Sequence, residues 1–189
     1  MDEQTDSADT ANIAAMAHRI DRPIVLVGLM GVGKSTVGRK LAEMTLRDFV
    51  DADTEIETAA QRSIPEIFEL YGEPVFRDGE RRVIARLIEE KHGVIATGGG
   101  AFVDDDTRRL ILNDAIAVWI DCDVDTLVER TSRRSTRPLL KNGDPKEILT
   151  RLHAQRAPLY AQAQVRVVSE NGPHQQTAMR ILEAIDRWL

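Results

Sequence analysis

The chain has 189 residues, which is enough for one domain that buries a substantial core without disulfides. Its formal net charge of −6 disfavours a broad basic surface for nucleic acid. The single cysteine, Cys122, excludes an internal disulfide, and no apolar run approaches the length that spans a membrane. We therefore expect a cytoplasmic globular protein with neither nucleic acid nor membrane among its partners.

The N-terminal residues 1–22 are predicted to be a mobile extension. They are acidic and lack the basic region and apolar core of a secretory signal. Residues 10–20 could form one loose amphipathic helix, but the pattern is weak. The sequence thus predicts one folded domain at residues 23–189, with no catalytic role for the extension.

A phosphate-binding loop is predicted at residues 28–36, of which residues 28–35 match the pattern G-x-x-x-x-G-K-[ST]. The fixed positions of the motif are occupied by Gly28, Gly33, Lys34 and Ser35. An apolar run at residues 23–27 predicts a buried strand before the loop, and residues 37–44 have helical spacing after it. In this context the loop amides and the helix N-terminus form an anion site. Lys34 would reach the β- and γ-phosphates of a nucleotide, and the Ser35 hydroxyl would bind Mg²⁺.

Two acids, Asp51 and Asp53, end a second predicted strand at residues 48–53. Residues two apart on a strand share a face, so both carboxylates could point toward the phosphate loop. Thr54 and Glu57 predict a capping box for the following helix, which offers the alternative that the acids only complement the helix dipole. Beside a phosphate loop, we favour a role in binding Mg²⁺ or a substrate hydroxyl.

A pair of opposite charges, Arg77 and Glu80, lies three residues apart on a predicted helix at residues 73–91, which follows a shorter one at residues 63–71. Taken alone, the pair is typical of an ordinary surface ion pair. Gly79 lies between the two charges and costs about 1 kcal/mol relative to alanine in a helix interior. The sequence offers no packing reason for this glycine.

A third buried strand at residues 94–97 runs directly into three glycines at residues 98–100. In an open parallel sheet, ligands bind at the carboxyl ends of the strands. Glycines at such an end leave backbone N–H groups accessible to a close ligand. A plain tight turn would need one or two glycines, so we expect this segment to contact a ligand.

The remaining pattern continues to alternate helices and strands. The predicted elements are a helix at 104–112, a strand at 115–120, helices at 125–131 and 145–159, a strand at 165–168 and a helix at 175–189. Together with the earlier elements they predict a three-layer α/β fold with a mostly parallel sheet.

An aperiodic segment at residues 132–142 is predicted to be a mobile lid over bound phosphate. The arginines of this region form the strongest local positive charge of an acidic chain; they are Arg130, Arg133, Arg134 and Arg137. A solvated basic loop without a ligand is the alternative interpretation.

Taken together, the motifs of residues 23–189 resemble the shikimate kinase family. The segments that carry the resemblance are 28–36, 51–53, 62–64, Phe76, Arg77, Glu80, 97–100, 137–140, Arg156 and 158–160. Each is weak alone or shared with other P-loop kinases, whereas their joint occurrence in this order is specific. The resemblance implies a five-stranded parallel sheet of order 2-3-1-4-5. It further implies ATP-dependent phosphorylation of the 3-hydroxyl of shikimate in the cytosolic route to chorismate and the aromatic amino acids, by a monomeric enzyme.

The same resemblance implies roles for individual residues. The ATP phosphates would contact Gly31, Val32, Gly33, Lys34, Ser35 and Thr36, with Arg130 stacking on adenine. Ser35 would bind Mg²⁺, with Asp51 helping through water. Asp53 would hold the shikimate hydroxyls and accept the proton of the attacking one, and Arg137 would close over the transferring phosphoryl group. Arg77 and Arg156 would bind the shikimate carboxylate, Glu80 would orient Arg77, and Gly99 would offer a backbone contact to the ring.

Two other functions stay open at this point. Another small-metabolite kinase, such as a gluconate kinase, shares the phosphate loop, but Asp53, Arg77, Gly99 and Arg156 match the shikimate pocket. A non-catalytic ATP-binding module is disfavoured, since it need not keep Lys34, Ser35, Asp53 and Arg137 together.

Overall fold

The protein is a five-stranded parallel sheet flanked by helices. The computed structural model describes residues 3–132, 143–170 and 172–189, with the side chains of residues 3–9 excepted. Its strands are Ile24–Val27 (β1), Phe49–Asp51 (β2), Val94–Ala96 (β3), Ile116–Asp121 (β4) and Val165–Val168 (β5). Their order is β2-β3-β1-β4-β5, which confirms the predicted topology.

The central strand β1 determines where the ends of its neighbours lie. Ile24 is in register with Val94 of β3 on one side and with Ile116 of β4 on the other. Every residue of β1 is fully buried, as expected for a parallel strand with both faces covered. The carboxyl ends of the strands therefore lie along one edge of the sheet, where α/β proteins bind ligands.

Eight helices connect and cover the strands in the described part of the chain. They are Glu3–Arg19 (α1), Lys34–Thr45 (α2), Ala52–Ala60 (α3), Ile64–Glu89 (α4), Asp105–Asp114 (α5), Val124–Ser132 (α6), Pro145–Tyr160 (α7) and His174–Trp188 (α8). Among the described residues, no helix combines the length and the apolar character needed to cross a membrane.

The N-terminal helix α1 is longer than the helix predicted at residues 10–20, and its end packs against the domain. Met16 and Ile20 are buried members of the hydrophobic core. Arg19 forms an ion pair of 2.5 Å with Asp186 of α8, and the Arg47 guanidinium donates to the carbonyl oxygen of Ile20. The sequence missed this packing because it depends on tertiary contacts. The mobility predicted for residues 1–22 stays a prediction.

The start of α3 corrects one local prediction. Strand β2 ends at Asp51 rather than at residue 53, and Asp51 caps α3 by accepting a hydrogen bond of 3.1 Å from the Asp53 amide. The capping box predicted at Thr54 and Glu57 is therefore wrong, as is the placement of Asp53 on a strand. Asp51 has an extended backbone and a short acceptor side chain, which makes it the better N-cap.

A sharp kink divides α4 into the two helices that the sequence predicts. Gly72 has φ 77° and ψ 173°, which are not helical, and Pro74 follows it. A capping box of Ser63 and Glu66 begins the first half, since each side chain bonds to the backbone N–H of the other residue. The second half carries Arg77 and Glu80, whose side chains lie close to Gly100 and Gly98 after β3.

Candidate active site

The phosphate loop leaves β1 and leads directly into α2. Its first glycine, Gly28, has φ 139°, and a Cβ atom there would lie 2.4 Å from the carbonyl oxygen of Ile120. No other residue type fits this position without moving β4. Helix α2 begins at Lys34, so its N-terminal amides and the positive end of its dipole face the loop. The predicted strand, loop and helix are confirmed.

Lys34 is buried beside the loop that precedes it. Its Nζ atom donates hydrogen bonds of 2.7 Å and 2.9 Å to the carbonyl oxygens of Gly28 and Leu29. Only 9% of the residue is exposed. The ammonium group is thus held against the loop carbonyls at the start of α2.

Ser35 and Asp51 form the oxygen pair that Mg²⁺ would require. The Ser35 hydroxyl donates a 2.6 Å hydrogen bond to Oδ2 of Asp51. Within the described ranges, no group of three or more His, Cys, Asp or Glu side chains could hold a metal alone. Mg²⁺ typically takes one or two protein oxygens and completes its shell with phosphate and water, so this pair fits it.

Asp53 lies in the first turn of α3 and faces the end of β3. A Cβ atom on Gly98 would lie 2.8 Å from Oδ1 of Asp53, so the carboxylate is close to the glycine backbone. Burial raises the pKa of Asp53, and the charge of Asp51 raises it further, while Lys34 and Arg77 oppose the shift. A carboxylate with a raised pKa is a stronger proton acceptor, which suits a general base.

Arg77 is held on two sides by carboxylates of its own helix. Its Nη1 atom donates a 2.6 Å hydrogen bond to Oε2 of Glu80, a residue that is only 1% exposed. Its Nε and Nη2 atoms lie 3.3 Å and 3.2 Å from Oε1 of the exposed Glu73. Burial raises the pKa of Glu80 to about 7, although Arg77 lowers it. Glu80 is therefore a structural partner of Arg77 and not the surface ion pair that the spacing alone suggests.

The carbonyl of Gly99 joins the end of β3 to α7. It accepts a 3.1 Å hydrogen bond from Nη1 of Arg156 and a 2.5 Å hydrogen bond from the Tyr160 hydroxyl. The sequence predicts a ligand contact at the glycine backbone and no role for Tyr160. Because Tyr160 is 1% exposed, its hydroxyl needs an internal partner, and burial raises its pKa.

A cleft of about 550 Å³ lies between the second half of α4, the glycine segment and α7. It is lined by Glu73, Pro74, Arg77, Asp78, Arg81, Gly100, Val103, Asp104 and Arg156. Two arginines in one cleft can bind a carboxylate. A larger cleft of about 910 Å³, between α1 and the end of α2, contains none of the predicted site residues and lies near the amino ends of β2 and β3.

Arg130 lies on the opposite flank of the phosphate loop. Its guanidinium donates to the carbonyl oxygens of Val32 and Glu170, at 3.3 Å and 2.9 Å, and to the Ser169 hydroxyl at 3.2 Å. This position beside the loop supports a contact with the nucleotide. Arg137 and the predicted lid at residues 132–142 lie outside the described residues, apart from Ser132 at the end of α6.

The sheet order and the phosphate loop after the central strand define a P-loop kinase fold. The family model described as shikimate kinase matches residues 30–186. A shikimate kinase of Novosphingobium aromaticivorans is 60% identical over 95% of this chain and 95% of its own length. One from Caulobacter vibrioides is 55% identical over 87% of this chain and 82% of its length. The chain belongs to the shikimate kinase family.

Solved structures agree with this assignment. A shikimate kinase from Acinetobacter baumannii in complex with shikimate superposes with a TM-score of 0.82 at 40% identity. That match covers 87% of this chain and 92% of the other. A gluconokinase from Sinorhizobium meliloti superposes with a TM-score of 0.59 at 17% identity, over 89% of this chain and 95% of its own, and so shares only the fold.

Proposed function

We propose that the protein transfers the γ-phosphoryl group of ATP to the 3-hydroxyl of shikimate, giving shikimate 3-phosphate and ADP. The observation that supports this most is the cleft that joins Arg77 and Arg156 at the glycine end of β3, beside the phosphate loop. Planar guanidinium groups are suited to a carboxylate because they can donate two parallel hydrogen bonds. Shikimate combines a carboxylate with ring hydroxyls that can face Asp53.

On the phosphate side, residues 31–36 bind the ATP phosphates through backbone amides, Lys34 and the hydroxyls of Ser35 and Thr36. Lys34 exchanges its loop carbonyl partners for phosphate oxygens, which places its charge where charge develops during transfer. Ser35 and Asp51 hold Mg²⁺, which neutralises phosphate charge when it is bound. Arg130 stacks on adenine, and Arg137 closes over the transferring group.

On the acceptor side, Asp53 orients the attacking hydroxyl and takes its proton. Arg156 and Arg77 hold the carboxylate at the other end of the ring, and Gly99 contributes its backbone. Arg77 presents the edge formed by Nε and Nη2, which the carboxylate takes over from the exposed Glu73. This division leaves each end of shikimate with its own set of protein groups.

The test is an ADP-release assay with MgATP and shikimate, gluconate or buffer alone. We expect turnover that depends on shikimate and exceeds the buffer blank by orders of magnitude. Turnover on gluconate but not on shikimate would establish the other small-metabolite kinase. ATP binding without turnover on either compound would indicate a non-catalytic module. A cytoplasmic location and a monomeric state accompany this proposal and can be checked by cell fractionation and light scattering.

A further inference from the structure

The last glycine of the strand-end triplet, Gly100, lies directly against the Arg77 guanidinium. A Cβ atom built on Gly100 would be 2.3 Å from Nη2, 2.7 Å from Nη1 and 2.8 Å from Cζ of Arg77. These three atoms belong to one planar group and lie at similar distances. Both terminal nitrogens are nearer than Cζ, so the Nη1–Nη2 edge of the guanidinium occupies the position that a side chain at residue 100 would take.

This contact differs from those of Gly79 and Gly93. A Cβ atom on Gly79 would meet no heavy atom within 4 Å, so nothing there requires a glycine. A Cβ atom on Gly93 would lie 2.4 Å from the Cβ atom of Arg47 and 3.1 Å from the Asp48 carbonyl oxygen, which are close to the backbone and cannot move away. At Gly100 the first atoms met are the far end of a flexible side chain. An alanine there would displace Arg77 rather than prevent folding.

We infer that Gly100 is a positioning residue for the acceptor site, because the absence of a side chain leaves room for the Nη1–Nη2 edge of the Arg77 guanidinium. The inference rests on the proposed function, and it goes beyond the expectation that these glycines only expose backbone amides. Glu80 binds Nη1, and the Gly100 backbone lies against the Nη1–Nη2 edge, so the guanidinium is confined on two sides. The edge of Nε and Nη2 is then presented to the cleft in the orientation that a carboxylate requires.

The test is a double-mutant cycle of Gly100→Ala and Arg77→Ala, measured by calorimetric binding of shikimate and of MgATP. Gly100→Ala should weaken shikimate binding about tenfold or more, the usual effect of losing a hydrogen bond to a charged group. The KM for shikimate should rise by a similar factor, and MgATP binding should not change. In the Arg77→Ala background, Gly100→Ala should cause no further loss. Parent-like shikimate binding in Gly100→Ala, or an equal loss in both backgrounds, would overturn the inference.

Thermal unfolding of the same variants gives a reading that needs no ligand. Gly100→Ala should lower stability while Arg77 is present, because the displaced guanidinium leaves the buried Glu80, and should not do so in the Arg77→Ala background. If Gly100→Ala fails to fold, folding of the double variant supports the inference, and failure of both overturns it. This cycle decides the role of Gly100 even if the parent neither binds nor phosphorylates shikimate, which would refute the proposed function instead.

Two glycine variants serve as matched controls. Gly79→Ala should leave shikimate binding unchanged, because an alanine side chain there contacts nothing. Gly93→Ala should lower stability through its contact with Arg47 and Asp48, while the folded fraction binds shikimate like the parent. A loss of shikimate affinity in Gly93→Ala as large as that in Gly100→Ala would mean that any strained glycine has this effect, and would contradict the specific role of Gly100.

Discussion

The phosphate loop and the acceptor cleft lie at the same edge of the sheet but are built in different ways. The loop is one continuous segment whose amides, carbonyls and Lys34 contact one another over a few residues. The cleft is assembled from α4, the glycine end of β3 and α7, and its contacts join residues such as Gly99 and Arg156 that are 57 positions apart.

This difference teaches which functions can be changed independently. A local loop serves any reaction that uses nucleotide phosphates, since its geometry needs only the strand and helix on either side. In a cleft assembled from distant elements, substitutions can change which acceptor is bound without affecting the phosphate loop. We therefore expect substitutions on the loop side to affect transfer itself, and those on the cleft side to affect the choice and binding of the acceptor.

Lys34→Met should break the phosphate side with the largest effect. Removing a preorganised charge at the transferring group costs about 1,000-fold in kcat, while the protein stays folded. Lys40→Met on the same helix is the control, since Lys40 is exposed and pairs with the exposed Glu43. Steady-state assays and thermal unfolding check this prediction. A folded Lys34→Met protein with kcat within about tenfold of the parent would contradict the role of Lys34.

Glu80→Gln tests how buried Glu80, the partner of Arg77 in the cleft, affects the pH dependence of stability. Burial raises the folded-state pKa of Glu80 to about 7, from an ordinary value of 4.5. The folded state thus binds more protons than the unfolded state between these values, so this group's contribution to stability falls as pH rises through that window. Relative to the parent, Glu80→Gln should gain up to about 3 kcal/mol between pH 4.5 and 7.

Denaturant unfolding across this pH range measures the difference between the two proteins. Glu89→Gln, an exposed residue of the same helix, controls for the loss of one negative charge. A constant difference between Glu80→Gln and the parent would show that burial does not govern the titration of Glu80.

Asp53→Asn and Asp51→Asn distinguish the acceptor side of the site from the phosphate side. Asp53→Asn should lower turnover on shikimate about 100-fold, because it removes the proton acceptor, and should leave MgATP affinity unchanged. Asp51→Asn should raise the Mg²⁺ concentration needed for half-maximal activity, since Asp51 bonds to the Ser35 hydroxyl. Turnover measured across a Mg²⁺ titration distinguishes them. Rescue of Asp53→Asn, but not of Asp51→Asn, by excess Mg²⁺ would reverse the two assignments.

Arg156→Ala should weaken the acceptor side alone. Loss of one charged hydrogen-bond donor to the carboxylate should reduce shikimate affinity about tenfold, with MgATP affinity unchanged. Calorimetry with each ligand gives both values, and Arg151→Ala, an exposed arginine of the same helix, is the control. Equal losses for shikimate and MgATP would place Arg156 outside the acceptor site.

Gly79→Ala should have the smallest effect and should raise stability. Alanine is favoured over glycine in a helix by up to about 1 kcal/mol, and the new methyl group meets no heavy atom within 4 Å. Gly38→Ala is the matched control and should lower stability, because its Cβ atom would lie 2.6 Å from the Phe49 ring. Denaturant unfolding measures both. A destabilised Gly79→Ala would indicate a packing constraint at this position.

The parts of the fold that the sequence predicts are those with local causes. The order of strands and helices follows from apolar runs and turn residues, and the phosphate loop follows from a contiguous motif. The predicted end of β2 was wrong because two N-caps were possible for α3. In the structure the Asp51 carboxylate accepts the hydrogen bond from the Asp53 amide, so the helix begins earlier than predicted. The packing of α1 was missed because its weak pattern is stabilised by contacts with α8 and Arg47.

In the candidate site, too, features with local causes were predicted from the sequence and features that depend on tertiary packing were not. The resemblance to the family, and not the local pattern, implied that Arg77, Arg156 and Asp53 act on an acceptor, although arginines suit a carboxylate and an acid suits a hydroxyl. Nothing local indicated that Tyr160 bonds to Gly99, or that Gly98 and Gly100 make room for charged side chains. Those facts depend on how α3, α4 and α7 approach one strand end, which a single sequence does not contain.

The end of α1 has a practical consequence for anyone who shortens this protein. Arg47 donates to the carbonyl oxygens of Ala17, Ile20 and Arg22, and so closes the last turn of α1 onto the start of the domain. A truncated version that starts at Pro23 would remove all three of these acceptors and uncover the surface that Met16 and Ile20 protect. Affinity tags and protease sites are therefore better placed upstream of this turn, because its hydrogen bonds to Arg47 attach α1 to the folded domain.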